Sequence, residues 1–439
     1  MISKNLKAQK AIVNKVLAEP VRAATGNLLP TVKSALKKRA SILALTKKHQ
    51  TPFYVFDQRE VKKSIDEFTN AFKERMPGLQ IYYAVKANDH DFLLKEVVKN
   101  GLGLDVSSGK ELELAIKHGV EKIIFSGPAK SSLELRTAIT NRRKTIIHLD
   151  SFGELKKLGQ TLNKNQQIRA GIRVSTGHHG DWHKFGIPLT DLANFWREAK
   201  KYPGVNLSGL QCHISFNQSA EPYQKMIIEI ANYLRKQFSS QELEEIKFFD
   251  FGGGFSPSLL EAEYPWTTPQ GRIIQTANEY YNLHPDFNEK YYPLKPETPM
   301  EFAKGISDAC KEYLDPLIQC TYMCEPGRMV AERSMHIVVR LADLKNKNFG
   351  IADGGTNLIG VWEKYEDYYS PVINFTNPSH RERKFTLYGN LCTPYDIWGF
   401  YCYANKIKEG DVMVIPFQGA YTYALANDFI KPIAPTYKI

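Results

Sequence analysis

Ile81-Tyr82-Tyr83-Ala84-Val85-Lys86-Ala87-Asn88 sets a lysine directly behind a short apolar run and follows it with small and polar residues. The run from Ile81 to Val85 reads as a buried strand, being short, rich in β-branched and aromatic residues and bounded by polar ones. A lysine at the end of such a strand is expected to be partly desolvated, which lowers the pKa of its ammonium and makes the amine a nucleophile toward an aldehyde. A lone strand-end lysine is more often a surface cap than a catalyst. The weight of Lys86 therefore depends on what surrounds it along the chain.

From Gln80 to Glu325 short β-rich runs alternate with helical stretches, the pattern of parallel strands joined by crossover helices. Eight strands are predicted: Ile81 to Val85, Gly103 to Val106, Ile123 to Ser126, Thr145 to Leu149, Arg169 to Val174, Leu207 to Ile214, Phe248 to Phe251 and Cys320 to Cys324. Helical segments such as Lys110 to His118 and Tyr223 to Phe238 lie between them, with apolar residues three and four apart. Eight such repeats predict an α/β fold, a closed (β/α)8 TIM-like barrel whose chemistry sits at the carboxyl ends of the strands. Lys86 follows strand one, Arg173 ends strand five, His213 lies near the end of strand six, Gly252, Gly253 and Gly254 follow strand seven, and Glu325 follows strand eight.

The chain has 439 residues, 43% of them hydrophobic, enough to bury one large core and a second. No apolar run approaches the ~20 residues that cross a bilayer. The N-terminus lacks the apolar centre of a secretory signal, so a soluble cytoplasmic protein is expected. Six cysteines without a Cys-x-x-Cys pair read as reduced thiols, neither a disulfide scaffold nor a zinc site. The net charge of +11 belongs almost wholly to residues 1–50, which hold eleven Lys or Arg against one acid, Glu19. The body is near neutral, so no nucleic-acid partner is expected, and residues 1–50 form a basic N-terminal extension, read as a solvated helical arm.

Phe255 to about Met300 is too long for an ordinary loop and carries Pro265, Trp266, Tyr280, Tyr281, Tyr291 and Tyr292, which predicts a lid or interface insertion. After Arg328 the pattern turns β-like, with Val330 to Leu341, Phe349 to Ala352 and Val412 to Ile415. Residues 62–328 are thus assigned to the barrel and 329–439 to a second, all-β domain of sandwich or barrel type. His178, His179, Asp181 and His183 cluster in sequence, but without a matching ligand set elsewhere they read as a loop, and no metal is expected.

Five segments in fixed order carry a resemblance: the Lys86 stretch, Gln211-Cys212-His213, Asp250-Phe251-Gly252-Gly253-Gly254, Cys324-Glu325-Pro326-Gly327-Arg328, and Cys392-Thr393-Pro394-Tyr395-Asp396. Together they resemble the fold-type III pyridoxal-phosphate decarboxylases, the group of diaminopimelate, ornithine and arginine decarboxylases on an alanine-racemase-like barrel. The likeness runs from about Thr51 to the C-terminus, and it implies that residues 51–61 supply a strand, Phe53 to Phe56, to the β-domain.

The resemblance implies pyridoxal 5'-phosphate as cofactor, held as a Schiff base on Lys86. Glu325 takes the position beside the pyridine nitrogen, where a carboxylate keeps the ring protonated and so a good electron sink. Alanine racemases have an arginine there, so Glu325 favours decarboxylation over racemisation or epimerisation. The retained Lys86 and Cys392 oppose a non-catalytic cofactor-binding regulator. The phosphate is expected against Gly252, Gly253, Gly254 and Arg328, the glycines offering backbone N–H groups at close approach, and Gly327 and Tyr421 are also placed among the cofactor contacts. His213 matches an imidazole stacked on the cofactor ring, Arg173 an arginine near its phenolic oxygen, and Asp105 is placed among the cofactor contacts. Relatives commonly read Cys-His-Ile-Gly-Ser where this chain reads Cys212-His213-Ile214-Ser215-Phe216, so the usual phosphate serine is replaced and Ser215 or Asn217 is expected to substitute.

Cys392 matches the thiol that returns a proton to Cα. In the family its loop crosses a dimer interface, which implies a homodimer with shared active sites. Arg328, Thr393, Asp396 and Tyr421 are expected around the substrate. Diaminopimelate decarboxylases carry an arginine where this chain has Gly360 and a glutamate where it has Thr393. Asp396 stays as an acid for a distal ammonium. The expected substrate is an amino acid with a distal amine, ornithine-like, lysine-like or a diamino-acid conjugate, with diaminopimelate as the alternative.

Overall fold

The computed structural model describes residues 2–19, 28–177, 184–257, 262–263, 268–281, 291–360 and 368–439. All eight expected strands form and close into one parallel barrel: Gln80–Ala84, Gly103–Val106, Ile123–Phe125, Thr145–Leu149, Ile168–Ser175, Val205–Gln211, Phe248–Asp250 and Thr321–Cys324. The last strand returns to the first through the pairs Met323 with Gln80 and Cys324 with Ile81. The crossover helices begin on polar caps placed where the strand-to-helix loops end. Ser108, Ser131 and Ser151 each accept the backbone N–H of the residue three further on, which satisfies one orphan donor and is worth about 1 kcal/mol per cap.

The period of two along each strand sorts the barrel interior into layers. Tyr82, Ile124, Ile146, Phe248 and Met323 form one apolar layer. Gly209 belongs to it, since a Cβ there would lie 2.3 Å from the Phe248 ring. Two residues further along the strands stand Asp105, Ser126, His148, Arg173, Gln211, Asp250 and Glu325, all of them buried. An apolar floor thus lies directly beneath a polar layer at the carboxyl ends.

The second domain is a closed β-barrel. Met335–Asn346 pairs with Phe349–Ala352, and the sheet continues through Pro378–Tyr388, Ile397–Ala404, Val372–Asn374 and Val412–Ile415 back to Met335–Asn346. Phe53–Phe56 joins it antiparallel to Met335–Asn346, as the sequence predicts, and Thr436–Lys438 adds alongside in parallel.

The N-terminal segment departs from the solvated arm expected of it. Val32, Ala35 and Ile42 pack fully buried against Phe53, Val55, Val338, Ile373 and Val414, so helices Leu29–Leu36 and Arg39–Thr46 are part of the second domain's core. The charges that made the segment look solvated are used locally: Lys38 lies 2.7 Å from Asp57 and 2.8 Å from Glu60, and Arg39 caps the carbonyls of Phe375 and Thr376. Helix Ile2–Ala18 keeps Lys7, Lys10 and Lys15 exposed and meets helix Pro269–Tyr280 of the insertion, where Gln270 donates to the Val16 carbonyl at 3.0 Å. The insertion reaches the second domain through Tyr291, whose hydroxyl is 3.1 Å from both Glu382 and Tyr403.

Candidate active site

The first barrel strand ends in a single 3₁₀ turn, Val85–Ala87, that carries Lys86. The second domain clamps this turn. Asn88, fully buried, donates to the Gly419 carbonyl at 2.7 Å, and the Tyr421 amide donates to the Ala87 carbonyl at 2.8 Å. Tyr421 adopts a left-handed backbone (φ 55) to do so, a strain that its two neighbours on the clamp must hold. Lys86 Nζ lies 3.4 Å from Asp105 Oδ2, and the other Asp105 oxygen accepts the Ser126 hydroxyl.

This geometry corrects the expected charge state of the lysine. Burial pulls the ammonium's pKa down, but the carboxylate of Asp105, with Tyr421 and Glu325 behind it, outweighs that and holds it above the ordinary lysine value. The resting amine is an ammonium ion. Asp105, pushed up by burial and then by Glu325, is the adjacent group that can take its proton.

Glu325 is buried just past the last strand, and four residues surround its carboxylate. Gln211 Nε2 is 3.4 and 3.3 Å from its two oxygens, His148 Nδ1 is 3.7 Å from Oε1, and His213 Nδ1 is 3.8 Å from Oε2. The fourth, Asp250, spends one oxygen on the Gly252 amide at 2.8 Å, while its other oxygen has no hydrogen-bond partner among the described residues. His148, Asp250 and Glu325 are the one group of metal-type ligands among the described residues. Its third member is the carboxylate assigned to the cofactor nitrogen. His178, His179, Asp181 and His183 lie outside the described residues.

The glycine loop does less for a phosphate than the sequence implies. Gly252 gives its N–H to Asp250 and Gly253 gives its N–H to His213 Nδ1 at 3.0 Å, so these two donors are already committed inside the protein. The amides of Gly254 and Gly327 make no hydrogen bond to other described residues and lie at the same mouth of the barrel. The glycines are needed for shape: Gly252 and Gly254 have φ of 68 and 90, and a Cβ at Gly254 would sit 1.9 Å from the Ile214 carbonyl.

Because His213 Nδ1 accepts from Gly253, its Nε2 carries the ring proton when neutral and points at Ser215 Oγ, 3.0 Å away. Ser215 thus steadies the imidazole. Phe216, in a left-handed conformation (φ 59), projects outward at 63% exposure, and the buried Asn217 side chain bonds back to the Ile214 carbonyl at 2.8 Å.

Arg328 contacts Glu332 at 3.3 Å and lies 5.3 Å from the Tyr421 ring centre, and Gly327 stands within reach of the Tyr421 hydroxyl. Arg173 is buried at the end of the fifth strand with its guanidinium 4.3 Å from the Phe185 ring. Lys86, Asp105, Arg173, His213, Glu325, Arg328 and Tyr421 therefore converge on one mouth. Sequence reasoning missed His148, Asp250, Gln211, Asn88 and Ser126 as members of it. The signal for most of them was the period of two running from Asp105, Arg173 and Glu325.

Cys392 and Thr393 sit on the loop between strands Pro378–Tyr388 and Ile397–Ala404, and Cys392 is solvent-exposed. Asp396 is corrected by its surroundings. It is 1% exposed, Oδ1 accepts the Thr356 amide at 2.7 Å and Oδ2 accepts the Leu391 amide at 2.6 Å. Both oxygens hold backbone, so this carboxylate braces the Cys392 loop and does not face a ligand.

The donor set fits pyridoxal phosphate: a strand-end lysine for the aldehyde, the buried carboxylate of Glu325 for a ring nitrogen, and amides with an arginine for a dianion. Comparison with known proteins agrees. Residues 62–332 match the family described as pyridoxal-dependent decarboxylase, pyridoxal binding domain. The chain belongs to the fold-type III pyridoxal-dependent decarboxylases and is a carboxy-lyase acting on an amino acid. It is 24% identical over 406 residues to the diaminopimelate decarboxylase of Aquifex aeolicus, covering 89% of this chain and 86% of that one. Among solved structures it resembles diaminopimelate decarboxylase from Helicobacter pylori complexed with L-lysine, with TM-score 0.72, 24% identity and coverage of 91% and 94%. It also resembles the arginine decarboxylase of Paramecium bursaria Chlorella virus, with TM-score 0.71, 21% identity and coverage of 92% and 100%.

Proposed function

We propose that this enzyme decarboxylates an amino acid bearing a distal amine, ornithine-like, lysine-like or a conjugate of a diamino acid, as a homodimer with shared active sites in the cytoplasm. The single observation behind the substrate class is Gly360. It holds φ of 68, and a Cβ there would lie 1.7 Å from the Leu425 carbonyl, so no side chain fits where diaminopimelate decarboxylases carry the arginine for a second carboxylate. Thr393 replaces the glutamate of those enzymes as well. None of the six cysteines forms a disulfide, which fits a reducing compartment.

Bound pyridoxal phosphate supplies an electron sink for the bond broken at Cα. Lys86 would hold the cofactor, with Asp105 placed to take its ammonium proton. Glu325 would serve the ring nitrogen, His213 would pack against the ring, and Arg328 with the amides of Gly254 and Gly327 would hold the phosphate. Cys392, exposed on its own chain, returns a proton to Cα from the partner subunit. The Asn88 and Tyr421 clamps fix the turn that sets Lys86 beside the buried Asp105, while the lysine side chain stays 35% exposed toward the mouth.

Carbon dioxide release measured side by side on ornithine, lysine, diamino-acid conjugates and meso-diaminopimelate tests the substrate class. A distal-amine substrate is expected to exceed meso-diaminopimelate by at least about tenfold in kcat/KM, the cost of leaving a carboxylate without its charge partner. The relatives favour a second reading, meso-diaminopimelate, and that compound as the best substrate would establish it. Asp396→Ala is expected to lower stability by about 2 to 4 kcal/mol, through two lost charge-assisted hydrogen bonds, and to lower kcat on every substrate by a similar factor. A selective loss on distal-amine substrates would return Asp396 to the substrate pocket.

A further inference from the structure

His148 ends the fourth barrel strand, fully buried, and neither ring nitrogen has a hydrogen-bond partner among the described residues. Such an orphan is costly unless something in the working protein satisfies it. Its place is built. The ring stacks over Phe248 at 5.9 Å and 24°, and Gly171 leaves room for it, since a Cβ there would lie 3.1 Å from the imidazole. Its own carbonyl is gripped by Lys130 Nζ at 2.7 Å, and Lys130 is in turn neutralised by Glu154 at 3.2 Å, both of them buried.

The two ring nitrogens face two carboxyl groups: Nδ1 is 3.7 Å from Glu325 and Nε2 is 4.0 Å from Asp250. We propose that His148 is a positioning residue for Glu325, its ring spanning Asp250 and Glu325 so that Glu325 meets the cofactor nitrogen as a correctly turned carboxylate. This rests on the decarboxylase assignment and extends it to a residue that acts through Glu325.

The proton arrangement follows from the surroundings. Burial, then the cations of Lys130 and Arg173, push the His148 pKa down and favour the uncharged ring, and burial, then the charge of Glu325, push the Asp250 pKa up and favour its acid form. An uncharged imidazole has one N–H. With Asp250 holding its own proton, that N–H belongs on Nδ1, aimed at Glu325, and the lone pair of Nε2 faces Asp250. The Nδ1 proton then meets the carboxyl group assigned to the ring nitrogen, and the Asp250 proton meets the lone pair of Nε2.

The test compares apoprotein affinity for pyridoxal phosphate and for its 1-deaza analogue, whose ring has no nitrogen to protonate. Wild type should prefer the natural cofactor by at least about tenfold, the worth of a charge-assisted hydrogen bond. His148→Phe, which keeps the ring and its stacking, should bring that ratio below about threefold, and His148→Asn, which keeps a donor, should restore most of it. Glu325→Gln is the control and should abolish the preference. If Glu325→Gln does so while His148→Phe keeps the ratio, or weakens both cofactors equally, the role of His148 is overturned and the enzyme class stands. Wild type that binds neither cofactor would overturn the class itself. Independently of how the variants fold, ¹⁵N NMR of histidine-labelled wild-type apoprotein should show His148 uncharged with its proton on Nδ1. An imidazolium or an Nε2 proton would contradict the arrangement.

Discussion

Lys86→Ala is expected to lower carbon dioxide release by at least about a thousandfold while leaving the fold intact, because it removes the one amine placed to carry the cofactor. Nothing described near it can substitute. Lys130, which is buried, is fixed on Glu154 and the His148 carbonyl, and its ammonium is committed to that pair. The turn that holds Lys86 is anchored by backbone contacts of Ala87 and by the Asn88 side chain, none of which involves the lysine side chain, so thermal stability should change little. Loss of activity together with loss of folded protein would mean that Lys86 is structural.

The second large effect is recovery from two dead variants. Lys86 and Cys392 lie on different domains, and Cys392 is exposed on its own chain, which fits a loop that serves a neighbour. Lys86→Ala and Cys392→Ala should each be inactive, yet a mixture of equal parts after subunit exchange should regain about a quarter of wild-type activity, since half the dimers are mixed and each of those has one intact site. No recovery, with exchange shown by mass-tagged subunits, would place both residues in one chain's site or remove Cys392 from it.

The eight barrel strands were legible in the sequence because buried parallel strands are short, continuous apolar runs separated by amphipathic helices, whereas the strand Phe53–Phe56 was implied only by the family resemblance. Residues 28–50 were not. Their lysines and arginines dominated the reading, while the face that matters is the spacing of Val32, Ala35 and Ile42, a short apolar stripe that only a partner sheet makes significant. At the site, Lys86, Glu325, His213 and Arg328 were legible as residues, but their couplings were not. Whether Asp396 faces a ligand or two amides, and whether Gly252 and Gly253 offer their N–H groups outward or inward, depends on loop conformation that single-residue chemistry does not carry. His148 could have been found by stepping across the strands at a period of two from Asp105, Arg173 and Glu325.

The central claim is that Lys86 carries the cofactor of a decarboxylase. Borohydride reduction of the protein loaded with pyridoxal phosphate, followed by peptide mapping, reads this directly. The account predicts one modified residue, Lys86, in the wild type and none in Lys86→Ala. A cofactor fixed to Lys130 or to any other lysine would contradict it.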